Sequence, residues 1–355
     1  MKLSKTLVSW YLQNKRDLPW RETTNPYCIW LSEIILQQTR VDQGLAYYLK
    51  FVKNFPTVFD LARADEEEIL KLWQGLGYYS RARNLHTSAK YIIDELEGVF
   101  PTNYKSLLKL KGVGDYTASA IASICFDEPT AVVDGNVYRV LARYFGIATP
   151  INGTSGIKEF KKLAQELIDI KNPANHNQAI MEFGARMCKP QNPDCTICPL
   201  NDSCIALQKK EVKNLPIKDK KVKVRKRYFN YLVVITSDKK TILRKREGKG
   251  IWQNLYEFPL IETQVVIDEV DLINHKEFNN LFKKEELTIR QFNQKSIVHK
   301  LSHQHINTQF WIVEVCTNNL ATTNWAAIDD FPVPILIHNF IKDLKRTEFF
   351  STFGV

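Results

Sequence analysis

Leu107-Leu108-Lys109-Leu110-Lys111-Gly112-Val113-Gly114-Asp115-Tyr116-Thr117-Ala118-Ser119-Ala120-Ile121 joins an apolar helix end to an alanine-rich helix start through a Gly-Val-Gly turn. Gly112 and Gly114 let the backbone turn sharply and approach a ligand, while the free N–H groups of the second helix point outward as an anion site. A DNA phosphate fits there. Glycines between helices also act as plain C-caps, and the segment alone leaves both readings open.

Upstream and downstream of this turn, residues 1–208 keep a helical period, as in Val137, Val140, Leu141 and Tyr144, with Gly, Pro and Asn between segments. That part reads as all-α. Residues 209–227 hold ten Lys/Arg against two acids and little apolar content, a linker by composition that serves either as a solvated tether or as a track on DNA. From residue 228 the pattern turns strand-like over Tyr228–Thr236, Lys240–Arg246, Leu255–Leu260 and Thr308–Val315, with a helix expected near Ile335–Leu344. The expected organisation is therefore a helical domain at 1–208, a basic linker at 209–227 and an α+β domain at 228–355.

A chain of 355 residues, 44% hydrophobic and 25% charged, is long enough for two separate cores. Its first residues break their apolar positions with polar ones, unlike a signal peptide, and no run is long enough to span a bilayer. A cytoplasmic protein with no membrane association is expected, placed at the nucleoid if the source is bacterial. A net charge of +10 and a pI near 9.1 imply affinity for a polyanion, and by themselves fit a ribosomal or membrane-surface partner equally well.

Cys188, Cys195, Cys198 and Cys204 fall within 17 residues of a polar, proline-rich stretch, where chance would place about 0.3 cysteines. The spacing C-x6-C-x2-C-x5-C winds one short segment around one centre. That suits four thiolates on a [4Fe–4S] cluster, whereas structural zinc sites usually join two separated C-x2-C pairs. Zinc, two disulfides and loose thiols are the alternatives; disulfides fit poorly because Cys28, Cys125 and Cys316 sit singly in apolar surroundings, as reduced core cysteines do.

Two carboxyl groups carry the chemistry. Glu33, in Ile29-Trp30-Leu31-Ser32-Glu33-Ile34-Ile35-Leu36-Gln37-Gln38-Thr39-Arg40, has Ile29, Trp30, Leu36 and Gln37 one helical turn away. Desolvation among such neighbours raises its pKa and lets it hold a proton near neutrality, as a general acid must. Asp134, in Val132-Val133-Asp134-Gly135-Asn136-Val137, precedes an amphipathic helix; it reads as an N-cap, and the helix end would also keep it ionised to stabilise an oxocarbenium sugar. A raised-pKa acid and an ionised carboxylate form the pair used in glycoside cleavage. A buried Glu33 bonded to a structural partner is the plain alternative.

Taken together, the hairpin, the Asp about twenty residues beyond it and the cysteine spacing resemble the helix-hairpin-helix endonuclease III superfamily. The Ser32–Arg40 segment is similar to the signature of the MutY adenine DNA glycosylases. The resemblance implies a mainly α N-terminal helix-hairpin-helix glycosylase module with an iron–sulfur loop, followed by an α+β Nudix-like C-terminal domain. It further implies that Glu33 protonates N7 of a flipped adenine and that Asn136 supports Asp134. Arg21 and Glu182 would line the adenine pocket, Gln38 and Thr39 would meet the DNA with Gln38 filling the vacated stack, and Leu76 and Tyr78 would wedge into the duplex. Tyr116 stands where the pyrimidine-removing relatives carry a lysine, so the expected enzyme is monofunctional, without lyase activity. Leu243–Trp252 before Tyr256-Glu257-Phe258-Pro259 resembles the Nudix-like recognition domain, but no metal box follows, so no pyrophosphatase activity is expected. Leu301, Ser302 and His303 match the segment that contacts 8-oxoguanine, with Leu301 in place of an aromatic ring. Asp115 adds a negative charge beside the hairpin, and Tyr138 stands where some relatives carry a lysine. The implied partner is double-stranded DNA with adenine opposite 8-oxoguanine, bound by a monomer. A glycosylase for pyrimidines or mismatched thymine, and a non-catalytic lesion-binding protein, are the competing readings.

Overall fold

Asn25 and Pro26 start the helix Pro26–Leu36: the Asn25 side chain accepts the Tyr27 N–H at 2.9 Å, and proline occupies a position where its missing N–H costs nothing. Beyond the first turn this helix is apolar on nearly every side and buried from Ile29 to Ile35, as a helix inside a core must be. It packs on the helix Asp115–Phe126, whose alanines and serines allow close approach. The computed structural model describes residues 2–219, 224–282, 286–316 and 319–347.

The chain divides into two compact units, Met1–Ala64 with Arg83–Lys220, and Asp65–Ala82 with Lys221–Val355. In the first, Leu7 and Tyr11 of the helix Lys2–Asn14 pack with Val137 and Leu141 of Gly135–Phe145, Phe160 of Thr154–Leu167, and Ile180 and Phe183 of Pro173–Arg186. Each such side chain contributes about 1.5–3 kcal/mol by leaving water. The first part of the basic stretch belongs to this unit rather than hanging free. Leu215 is buried, its carbonyl accepts Arg143 Nε at 3.0 Å, and the Ile217 carbonyl accepts the Ile151 N–H at 3.0 Å. The buried Leu215 side chain and the Ile217 carbonyl anchor what charge counting read as a tether; residues 220–223 of it lie outside the described residues.

In the second unit, the strand Arg225–Thr236 runs parallel to Gln304–Val315 through twelve partners, from Arg225↔Gln304 to Thr236↔Val315. Leu260–Thr263 pairs antiparallel with the former, and Leu287–Gln291 and Ile297–Lys300 pair antiparallel with the two halves of the latter. The central strands are buried on both faces. Leu232, Val234, Trp311 and Val313 meet Leu272 and Phe278 on one side; on the other, Phe310 stacks on Phe340 of the helix Ile335–Leu344 with ring centroids 3.9 Å apart. Two expected strands are interrupted. Lys240–Arg246 splits into Lys240–Thr241 and Arg244–Lys245, which pair with different partners, and Pro259, lacking an N–H, separates Tyr256–Glu257 from Leu260–Thr263.

Chain order put Asp65–Ala82 in the helical domain; its contacts put it in the second unit. Glu67 pairs with Lys245 at 2.8 Å and accepts the Tyr256 hydroxyl at 2.8 Å, and Lys71 Nζ donates to the Phe331 carbonyl at 3.1 Å. No helix among the described residues is long and apolar enough to cross a membrane.

Candidate active site

A cavity of about 610 Å³ opens in the first unit, within the size range of small-ligand clefts. Its lining includes Glu33, Tyr116, Asp134, Asn136, Arg21 and Glu182. Six residues scattered over 160 positions of sequence thus share one space.

Glu33 projects from the buried helix Pro26–Leu36 and is 9% exposed. Burial is the main force on its carboxyl and the nearby Asp134 charge adds to it; a hydrogen bond from Tyr116 and the Arg21 charge pull the other way, leaving the pKa raised to about 7. The phenol of Tyr116 also lies 3.2 Å from Met181 Sδ, a weak acceptor that leaves the carboxyl as the stronger partner. Glu33 therefore holds its proton near neutrality, in agreement with its apolar sequence surroundings.

Asp134 is the N-cap of Gly135–Phe145: Oδ1 accepts the N–H groups of Asn136 and Val137 at 2.9 and 2.8 Å, and Oδ2 accepts Asn136 Nδ2 at 2.7 Å. Capping and a place in the cavity coexist. Burial pushes the Asp134 carboxyl up, opposed by these hydrogen bonds and by Arg139, and the net direction is upward. The helix end alone would have kept it low, so desolvation outweighs the cap. Arg139 Nη2 fixes the other end of Asn136 by donating to its Oδ1 at 2.8 Å. A Cβ on Gly184 would come within 2.7 Å of Asn136 Cβ and 2.8 Å of its carbonyl oxygen, so only glycine admits this approach of the two helices.

Glu182, 1% exposed, receives Arg21 Nη2 at 2.7 Å, Arg16 Nη2 at 2.6 Å and Arg16 Nε at 2.8 Å. Despite its burial, the two guanidinium groups hold its carboxyl at about 2. Arg16, Trp20 and Gln178 also line the cavity and escaped the sequence reading; they lie in or beside irregular backbone or on a helix whose period marks only its core face. Thr39 lines the cavity too, whereas Gln38 is exposed beyond the helix end with φ 55°, a left-handed conformation that a non-glycine residue adopts at a cost.

In the hairpin, Gly112 has φ 83°, and a Cβ there would meet Asn84 Cβ at 2.8 Å; Gly114 caps the second helix without a side chain and faces open space. In the second unit the loop holding Leu301, Ser302 and His303 joins the strands Ile297–Lys300 and Gln304–Val315. Tyr78, 47% exposed, shares a 2.5 Å hydrogen bond with Ser302 Oγ. Leu76 departs from expectation: it is buried, because the turn around Gly75 and Gly77 folds it inward, and it is not presented as a wedge.

The four cysteines of the loop line one small, largely apolar cavity with Arg143 and Met187. Arg143 Nη1 donates to Cys188 Sγ at 3.4 Å. Four sulfurs around one cavity form the donor set of an iron–sulfur cluster.

Residues 31–167 match the HhH-GPD superfamily of base excision DNA repair proteins, 188–204 the iron–sulfur binding domain of endonuclease III, and 230–343 the NUDIX domain. The cysteine loop carries a [4Fe–4S] cluster. The adenine DNA glycosylase of Buchnera aphidicola subsp. Schizaphis graminum is 35% identical over 303 residues, 84% of either chain. That of Buchnera aphidicola subsp. Baizongia pistaciae is 35% identical over 356 residues, 96% of either chain. Among solved structures, a thermostable thymine-DNA glycosylase is 32% identical with a TM-score of 0.55, over 58% of this chain and 95% of that one.

Proposed function

The chain belongs to the adenine DNA glycosylase family, and from that premise we propose that it removes adenine from double-stranded DNA, acting as a monomer where adenine lies opposite 8-oxoguanine. One observation carries the reading: a carboxyl with its pKa near 7 and a second, hydrogen-bonded carboxyl share one cavity.

In the proposed reaction a flipped deoxyadenosine enters the cavity and Glu33 passes its proton to N7 of the base, making adenine a neutral leaving group. The N-glycosidic bond breaks, and positive charge develops on the sugar. Asp134, oriented by Asn136 and Arg139, stabilises that charge. Water adds to the sugar carbon and gives up a proton to the Glu33 carboxylate, which regenerates the acid and leaves an abasic site. Glu182, anchored by Arg16 and Arg21, presents acceptor oxygens suited to an exocyclic amino group. Among the described lining residues there is no lysine, which supports hydrolysis without Schiff-base chemistry or strand cleavage. The Gly112–Gly114 turn would hold a backbone phosphate, and Tyr78 and Ser302, already bonded to each other, would meet the opposite base together. The cluster supplies a rigid fold for its loop, and no step runs through it.

Likeness to a thymine-DNA glycosylase keeps one rival in view. Base release in single turnover is to be measured on duplexes with A·8-oxoguanine, A·G and G·T pairs, with and without alkali. Adenine release fastest from the 8-oxoguanine duplex, with strand breaks only after alkali, is expected. Thymine release from G·T, or breaks without alkali, would overturn the reading.

A further inference from the structure

Asp115 is out of place in a turn that is to hold a phosphate. It occupies the first position of the helix Asp115–Phe126, directly after Gly114, and no side chain caps that helix. A carboxylate there stabilises the helix end and repels an anion bound at it. Its charge is answered from another helix. Lys161, in Thr154–Leu167, bonds Asp115 Oδ1 through its ammonium, donates to the Tyr104 hydroxyl at 3.2 Å and lies 5.4 Å from the Tyr104 ring centroid. The Tyr104 hydroxyl donates to the same Oδ1. Asp115 is thus tied from two sides. The side chains of Lys161 and Asp115 are 47% and 44% exposed, and a pair so open to water contributes little to stability. What it alters is the charge a phosphate meets.

We propose that Lys161 is the counter-cation of the hairpin, neutralising and fixing Asp115 so that a DNA phosphate can occupy the Gly112–Gly114 turn. The inference rests on reading that turn as a phosphate site. It makes Lys161 a positioning residue for DNA, acting through Asp115. Lys162, its neighbour on the same helix, is 81% exposed and meets Glu166 at 3.9 Å, and serves as the matched control.

The test is binding of the full chain to a fluorescent duplex over a range of salt. Lys161→Met should weaken binding roughly tenfold at low salt, because an uncompensated carboxylate then faces the phosphate. Lys162→Met should weaken it by about twofold or less, as loss of one distant cation does. Adding Asp115→Asn to Lys161→Met should restore affinity to within about twofold of Asp115→Asn alone. Equal losses for the two lysine variants, or no rescue by Asp115→Asn, would overturn the proposal. Gly112→Ala separates the two layers of inference, since its φ of 83° and the approach to Asn84 make any side chain distort the turn. Wild-type affinity in Gly112→Ala would remove the phosphate site and the counter-cation with it. Lost affinity in Gly112→Ala beside intact affinity in Lys161→Met would remove the counter-cation role alone.

Discussion

Replacing Glu33 by glutamine should kill activity and raise stability. The carboxyl is held at about 7 against an ordinary 4.5, a difference equivalent to about 3 kcal/mol between its two protonation states. Because the folded protein binds this proton more tightly than the unfolded chain, the contribution is fully favourable below pH 4.5, is lost as pH rises, and is gone above about 7. Above that point the folded state carries a buried carboxylate at a cost. Glutamine keeps the shape and an acceptor for Tyr116 without a proton to lose, so Glu33→Gln should be more stable than wild type by up to about 3 kcal/mol in mildly alkaline buffer. The gap should shrink steadily toward pH 4.5. Thermal unfolding of both proteins across that range measures it. Base release by the variant in single turnover should fall by about 10²–10⁴-fold, the usual share of a general acid, and wild-type release should itself decline as pH rises through about 7. A stability gap that ignores pH, or adenine release at the wild-type rate, would refute the argument.

Tyr116→Phe removes the hydrogen bond that pulls Glu33 down, so the alkaline decline of the rate should move to higher pH; a move toward acid would contradict the assignment. Gly184→Ala forces a Cβ to within 2.7 Å of Asn136, which should cost about 1–3 kcal/mol as overpacking does and slow base release while leaving duplex affinity intact, as measured by melting, single-turnover rates and binding. Cys198→Ser deletes one of four thiolates, and the purified variant should lose iron, visible absorbance and thermal stability together; full iron content by metal analysis would exclude Cys198 as a ligand.

Much of the site was legible because its signals are local. A carboxyl in an apolar helical run, an Asp before a helix and four cysteines at cluster spacing each state their surroundings within a few residues: Glu33 is buried in its helix, Asp134 caps the next, and the four cysteines share one cavity. The misreadings share a cause. Composition cannot tell that Leu215 pins part of a basic stretch against a core, nor that Gly75 and Gly77 turn Leu76 inward. Nor does it show that burial outweighs the helix end at Asp134.

From the chain alone came the helical and strand-bearing halves, the cysteine loop and the two carboxyls proposed to react, since hydrophobic period, capping and ligand spacing are properties of neighbouring residues. Tertiary structure decided what those elements face: Glu182 meeting Arg16 and Arg21 from some 160 positions away, Lys161 answering Asp115, and residues 65–82 joining the second unit. Periodicity marks which side of a helix is buried. Only packing determines the partner against which it is buried, and with it the charges and proton affinities of the site.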